Sequence, residues 1–232
     1  MYIYNPFNPN PSNLVTPEQM ASPYTLFWNR LSILINAFRV RILHKTKIHF
    51  RTPLKDFAFS PRTLVVSNHS NSFDIPIVVG VFPIGTYFSF LAKKELYENP
   101  LGRFYFTSTA VVSVDRKKGL EKNTLKSIKN IMNAPDWVFC MFPEGTRGNG
   151  EELLPMKEGA AQLGKKNQAD LMPMGIYIKD KKASVVVGEL IPFEADRSLE
   201  ETHALIEAGI ASCFAEAKER YRKLCESPVP SP

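Results

Sequence analysis

Two polar loops carry side chains suited to acid–base and anion-binding chemistry. The apolar run Leu64-Val65-Val66 passes into Ser67-Asn68-His69-Ser70-Asn71-Ser72-Phe73-Asp74. His69 and Asp74 stand five residues apart, one before and one inside a helix start, so they can fold back into an imidazole–carboxylate hydrogen bond. Such a carboxylate fixes the tautomer and leaves the second ring nitrogen free to act as a base. An ordinary histidine titrates near pH ~6.5, close to the optimum for general-base work at neutral pH. The plainer alternative is a helix cap at Asp74 and a His69 bonded to a backbone carbonyl.

The second loop, Pro143-Glu144-Gly145-Thr146-Arg147-Gly148, follows the apolar run Trp137 to Phe142. Pro-Glu-Gly favours a tight turn, and Gly145 lets the backbone approach a ligand. The turn leaves Glu144, Thr146 and Arg147 at the edge of a sheet, where a guanidinium is suited to a bidentate grip on phosphate. A solvated surface turn is the alternative. Further cations follow other apolar runs: Lys93-Lys94 after Ala92, Arg116 after Val114-Asp115, and Lys157 after Pro155-Met156. One candidate base and several cations at several strand ends describe a pocket for a phosphorylated, hydroxyl-bearing substrate.

Strands are expected near Ile48–Arg51, Thr63–Ser67, Tyr87–Ala92, Ala110–Val114, Trp137–Phe142, Leu171–Ile178 and Ala183–Leu190. Helices are expected near Phe73–Phe82, Pro100–Phe106, Leu120–Asn133, Glu158–Lys166 and Leu199–Leu224. Apolar strands alternating with amphipathic helices imply an α/β domain, with a central, largely parallel or mixed sheet flanked by helices. Ligands in such folds gather beyond the carboxyl ends of the strands. The uncharged run Ile75 to Ala92 is broken by Pro76, Gly80, Pro83 and Gly85, so it reads as helix, turn and strand, and no transmembrane segment is expected.

Asn68-His69-x4-Asp74, Val114-Asp115-Arg116 and Phe142-Pro-Glu-Gly-Thr-Arg147, in this order and spacing, resemble the lysophosphatidic acid (1-acyl-sn-glycerol-3-phosphate) acyltransferase family. Ala92-Lys-Lys-Glu-Leu96, Lys157-Glu-Gly-Ala160 and Met172-Pro-Met-Gly175 agree, and the resemblance spans roughly residues 48 to 190. It implies that His69 is the general base for an acceptor hydroxyl attacking an acyl thioester, with Asp74 orienting it. Arg116 and Arg147 would hold the acceptor phosphate, Lys93 or Lys157 would assist, and Glu144, Gly145 and Thr146 would complete the acceptor pocket. The implied acceptor is a lysophospholipid, and acyl-CoA or an acyl carrier protein is a co-substrate; no metal or bound cofactor is implied. Glycerol 3-phosphate or another lysolipid is the alternative acceptor, and a non-catalytic membrane-binding protein the remote one. Two departures lie near the acceptor site: Asn71, where serine is common, and Ser108-Thr109-Ala110, where a glycine is usual.

The 232 residues carry a net charge of +6. Between Gln19 and Lys55 there are seven basic residues and no acidic one, whereas from Asp56 onward there are 22 of each. The excess therefore sits in a helical stretch expected from Thr16 to about His44, with a break at Pro23. There Phe27, Trp28, Leu31, Leu34, Ile35, Phe38 and Ile42 share one face. That pattern fits a helix lying in an anionic membrane surface, apolar stripe inward and Arg and Lys toward headgroups; a helix packed on its own domain is the alternative. Nucleic acid is not an expected partner, since basic residues come without an aromatic-plus-basic recognition motif. Three cysteines, Cys140, Cys213 and Cys225, exclude a disulfide framework or zinc site and favour the reducing side of a membrane; no secretory signal is expected. The expected organisation is a 1–15 Asn/Pro-rich tail, a 16–47 anchor, a 48–225 catalytic domain and a 226–232 Pro-rich tail.

Overall fold

The computed structural model describes residues 14–43, 45–53, 62–81, 85–115 and 118–226. Most of the two expected tails and all of Arg116 fall outside these residues. Val15, assigned to the N-terminal tail by its neighbours' composition, is instead buried. Its N–H donates to Ser127 Oγ and its carbonyl accepts from Asn130, which stitches the chain onto a distant helix.

Two short-range signals set the helical entry. Thr16 caps α1 (Pro17–Ala21), and Ser22 caps α2 (Pro23–Phe38), each followed by proline at the first helical position. Ser22 is thus both the end of one helix and the start of the next, which is why the break falls at Pro23. A π-helical turn, Arg39–Leu43, continues α2.

Seven strands follow: β1 (Lys47–Phe50), β2 (Thr63–Ser67), β3 (Tyr87–Lys93), β4 (Val112–Val114), β5 (Trp137–Met141), β6 (Asp170–Lys179) and β7 (Lys182–Val187). They form one sheet in the order β1-β7-β6-β2-β5-β3-β4, parallel throughout except where the tight β6–β7 turn makes that pair antiparallel. The helices between them are α3 (Asp74–Val81), α4 (Pro100–Ser108), α5 (Lys122–Met132), α6 (Gly159–Asn167) and α7 (Leu199–Glu226). Side chains alternate across the sheet. Val65, Val138, Cys140 and Met172 pack with Ile33 of α2 and Ile77 of α3. Leu64, Val66, Phe139 and Leu171 pack with Ile128 of α5, Leu163 of α6 and Ile206 of α7. Both faces are covered, as nearly continuous apolar strands require.

The Ile75–Ala92 run resolves into α3 and β3, and no helix among the described residues is long and apolar enough to cross a membrane. β4 starts two residues later than expected. Ala110 has φ 57°, and the carbonyls of Tyr105 and Phe106 still accept from Thr109 and Val111, so this stretch turns before it extends. A 3₁₀ turn, Lys94–Tyr97, is the one added element between β3 and α4.

Candidate active site

Parallel pairing of β2, β5, β3 and β4 places the carboxyl ends of all four at one edge. The His69 loop, the Glu144 loop, Lys93 and Asp115 leave from there. Ser67 ends β2, and Asn68 then continues the ladder with its side chain: Nδ2 donates to Ile176 O, and Oδ1 accepts from Ile176 N–H at 2.8 Å. The next residue, His69, is thereby projected beyond the strand.

Its ring is held on two sides. Nδ1 lies 2.8 Å from Asp74 Oδ2, and the imidazole stacks on Phe142 with centroids 4.4 Å apart and planes 21° from parallel. Asp74 is 0% exposed. The same Oδ2 accepts the backbone N–H groups of Ser70 and Asn71 at 2.6 and 2.7 Å. Asp74 is also the first residue of α3, where a carboxylate is favoured by the free N–H groups and the helix dipole. One carboxylate oxygen therefore fixes both the loop and the ring, leaving His69 Nε2 as the nitrogen not engaged by Asp74.

Glu144 holds the loop from the other side. It is buried; Oε1 accepts the His69 N–H at 2.6 Å and Oε2 accepts the Leu154 N–H at 2.9 Å. The Gly148 N–H donates to the His69 carbonyl at 2.8 Å, so both backbone polar groups of His69 are bound by the second loop. Glu144 is thus a brace under the histidine, joining two loops through main-chain donors. Gly145 has φ 68°, and a Cβ there would meet Lys157 Nζ at 3.0 Å. Glycine is needed both for the turn and for the lysine lying across it. Lys157 is tied back by its N–H to Pro143 O.

His69, Asp74, Glu144, Gly145 and Lys157 are therefore gathered in one contact network. Thr146, Arg147 and Lys157 are exposed around it, and Lys93 ends β3 on the same edge, beside Val114 of β4. Two buried carboxylates sit below, and three exposed cations sit above. Phe142 as the histidine's stacking partner, Asn68 as a ladder extension and the Leu154 and Gly148 amides were not assigned roles by the spacing. The motif signals Asn68-His69 and Phe142-Pro-Glu were visible, but their contacts depend on the β2–β5 and β2–β6 register. Cys140 lies inside β5, where burial pushes its thiol far up, so it holds no thiolate for nucleophilic work.

The family model described as Acyltransferase matches residues 45–177, more than half of the chain. The chain belongs to this acyltransferase family. It is similar to the 1-acyl-sn-glycerol-3-phosphate acyltransferase of Helicobacter pylori, 38% identical over 116 residues that make up 48% of this chain and 46% of that protein. It is similar also to the protein of the same name from Limnanthes alba, 31% identical over 114 residues, 49% of this chain and 40% of that protein. The chain spans about half the length of the curated relatives it matches. Its structure is similar to that of the 1-acyl-sn-glycerophosphate (LPA) acyltransferase PlsC from Thermotoga maritima. The TM-score is 0.60 and the identity 21%, covering 87% of this chain and 93% of that one, which shows the shared fold.

The span matched by the acyltransferase model contains every residue of the contact network. It leaves α1, α2 and the whole π-helical turn on one side, and β7 and α7 on the other. Ala110, in the Ser108-Thr109-Ala110 stretch where the resemblance leads one to expect a glycine, is left-handed, which strains a residue with a Cβ by roughly 1–2 kcal/mol. Asn71, where serine is common, closes a local turn by accepting the Phe73 N–H at 3.0 Å.

Proposed function

We propose that this chain transfers a fatty acyl group from acyl-CoA or acyl carrier protein to the sn-2 hydroxyl of 1-acyl-sn-glycerol 3-phosphate, forming phosphatidic acid. The observation that carries the proposal is the buried 2.8 Å pair of His69 Nδ1 and Asp74 Oδ2, at a strand edge ringed by exposed cations. His69 Nε2 takes the hydroxyl proton as the oxygen attacks the thioester carbonyl. The C–O bond forms, the C–S bond breaks, and the imidazolium returns its proton to the departing thiolate. Asp74 holds the tautomer that permits this and stabilises the transient imidazolium. The chemistry needs no metal or resident cofactor, because the thioester carries its own leaving group. Positioning supplies much of the rate. Exposed Arg147, Lys157 and Lys93, together with Arg116, grip the acceptor phosphate, and Gly145 and Thr146 shape the path to it.

Residues 16–47 serve as the membrane anchor, with the enzyme held peripherally on the cytoplasmic face. Support comes from an inversion in α2. Its buried residues include Thr25, Asn29, Ser32 and Asn36, while Phe27 and Phe38 are 58% and 61% exposed. Asn29 Nδ2 donates to the carbonyls of Phe88 and Thr109, and its Oδ1 accepts the Phe88 N–H. The polar face is therefore consumed by the domain and the apolar face is presented outward. Phe27, Leu34, Ile35, Phe38 and Ile42 form that outer face beside exposed Arg30 and Arg41. Each Arg or Lys near an anionic surface adds about 1 kcal/mol.

The test offers purified protein labelled acyl-CoA and labelled acyl carrier protein with a panel of lysolipids and glycerol 3-phosphate. Labelled phosphatidic acid from 1-acylglycerol 3-phosphate is the expected product. Labelling of glycerol 3-phosphate or a different lysolipid instead would reassign the acceptor, and no labelled product with any acceptor would refute the proposal.

A further inference from the structure

Among the described residues outside the catalytic edge and α2, the most exposed large apolar side chain is Leu101, at 80%, on the first turn of α4; Leu96 and Tyr105 are also exposed. α4 runs antiparallel to α2 through three contacts: Tyr24 Oη with Ser108 Oγ, the edge-on Trp28–Phe104 pair, and Ser32 Oγ with Tyr105 Oη at 2.6 Å. Extending this register by one turn brings Leu101, on the same α4 face as Phe104, Tyr105 and Ser108, toward Ile35, itself 50% exposed. At about 100° per residue, the outward apolar residues of α2 lie between the side that holds α4 and the flank bearing Arg30 and Arg41. The two helices therefore share one apolar surface rather than presenting separate patches.

The α4 corner is rigidly built. Asn99 Oδ1 caps the helix by accepting from Leu101 N–H at 2.9 Å and Gly102 N–H at 3.4 Å. A Cβ on Gly102 would collide with the Leu96 carbonyl oxygen, so glycine lets the 3₁₀ turn pack directly against the helix. Tyr97 Oη donates to Val111 O, and Arg103 Nε donates to Tyr97 O. Leu96 and Leu101 are thus held outward and exposed. Exposed Lys93, Lys94 and Arg103 surround them, against the exposed acids Glu95 and Glu98; with Arg30 and Arg41 on the far flank, the rim is cationic.

We infer that the bilayer-docking surface extends from α2 onto the 3₁₀ turn and α4, so that this helix pair lies against an anionic phospholipid surface. The inference rests on the anchoring role proposed for α2. It adds a second contact, and it sets the orientation of the domain. Both apolar ends meet at the catalytic edge. The Arg39 guanidinium lies 5.7 Å from the ring centroid of Phe73, one residue before Asp74, and Leu96 follows Lys93 by three residues. An acceptor lipid would then reach His69 sideways from the headgroup layer, between the end of α2 and the α4 corner. An apolar centre with a cationic rim is the pattern that an anionic interface recognises.

The test places an environment-sensitive fluorophore on single cysteines in a Cys225→Ser background, where the remaining Cys140 and Cys213 are buried. The sites are Leu101→Cys, Phe38→Cys and, as a control at the exposed start of α7, Glu200→Cys. On adding vesicles of phosphatidylcholine with phosphatidylglycerol, emission should shift to the blue at positions 101 and 38 and stay fixed at 200. Leu101→Asp should weaken partition about tenfold, the loss expected for withholding one leucine from the apolar layer. A shift at 38 without one at 101 would overturn the α4 contact while leaving the α2 anchor in place. No shift at either would overturn both, and a shift at all three would overturn the oriented docking.

Discussion

The catalytic edge and α2 bury polar side chains by the same rule and to opposite ends. At the edge, Asn68, His69, Asp74 and Glu144 are buried and hydrogen-bonded, Asn68 and Glu144 to backbone of neighbouring segments and Asp74 to its own loop and the His69 ring; the product is a fixed imidazole. In α2, Asn29, Ser32 and Asn36 are also buried and bonded, Asn29 to distant backbone, Ser32 to the Tyr105 hydroxyl and Asn36 to its own helix, yet what they fix is the apolar face on the other side, turned outward. A buried amide or hydroxyl without a partner costs roughly 1–3 kcal/mol, which favours such residues where geometry supplies one. Polar burial thus fixes an imidazole in one region and turns an apolar face outward in the other.

The comparison breaks first, and hardest, at Asp74. Asp74→Asn replaces an acceptor of three hydrogen bonds with an amide that either repels a backbone N–H or donates to His69 Nδ1, forcing the wrong tautomer. Single-turnover acyl transfer should fall about a thousandfold, and urea unfolding should show a loss of roughly 2 kcal/mol. A stable variant with near-normal turnover would remove Asp74 from the chemistry. Glu144→Gln should lower turnover by about ten- to a hundredfold while barely moving the acceptor KM, since the carboxylate faces two main-chain N–H groups and not the solvent. A rise in acceptor KM alone would return Glu144 to the pocket wall.

Arg147→Ala reverses that signature: acceptor KM should rise about tenfold with the acyl-donor KM unmoved, because only the acceptor carries the gripped phosphate. Equal effects on both would take Arg147 out of the acceptor site. The sharpest contrast within α2 pairs Asn29→Ala with Phe38→Ser. The first should cost about 2 kcal/mol of folding stability, as buried backbone partners lose their bonds. The second should leave the thermal midpoint nearly unchanged and weaken partition onto anionic vesicles about tenfold. Interchanged results would mean that the helix packs its apolar side inward.

Much of this was legible in the chain. Apolar runs located the seven strands within three residues at either end, and Pro23 announced the helical break. His69-x4-Asp74 is a local pairing, so spacing alone brought the two groups together. The rest depended on distance along the chain. Glu144 is placed in the acceptor pocket by the family resemblance; its main-chain partners, His69 and Leu154, come from other segments and have no local signature. The left-handed backbone at Ala110 has no signature in an alanine. The apolar stripe of α2 was plain in the sequence, but its direction was not, because periodicity tells which residues share a face and not which face meets the domain. That was decided by Phe88 and Thr109, some 60 to 80 positions away, whose carbonyls receive Asn29.

The measurement that bears most directly on the account is single-turnover transfer from labelled acyl thioester to 1-acylglycerol 3-phosphate, comparing the unaltered chain with His69→Ala. The variant should keep its circular dichroism and its vesicle binding, since its ring bonds only to Asp74 and stacks on Phe142. Phosphatidic acid should form with the unaltered chain and fall at least a thousandfold in the variant. Equal rates of product formation in the two would contradict the assignment of His69 as the base.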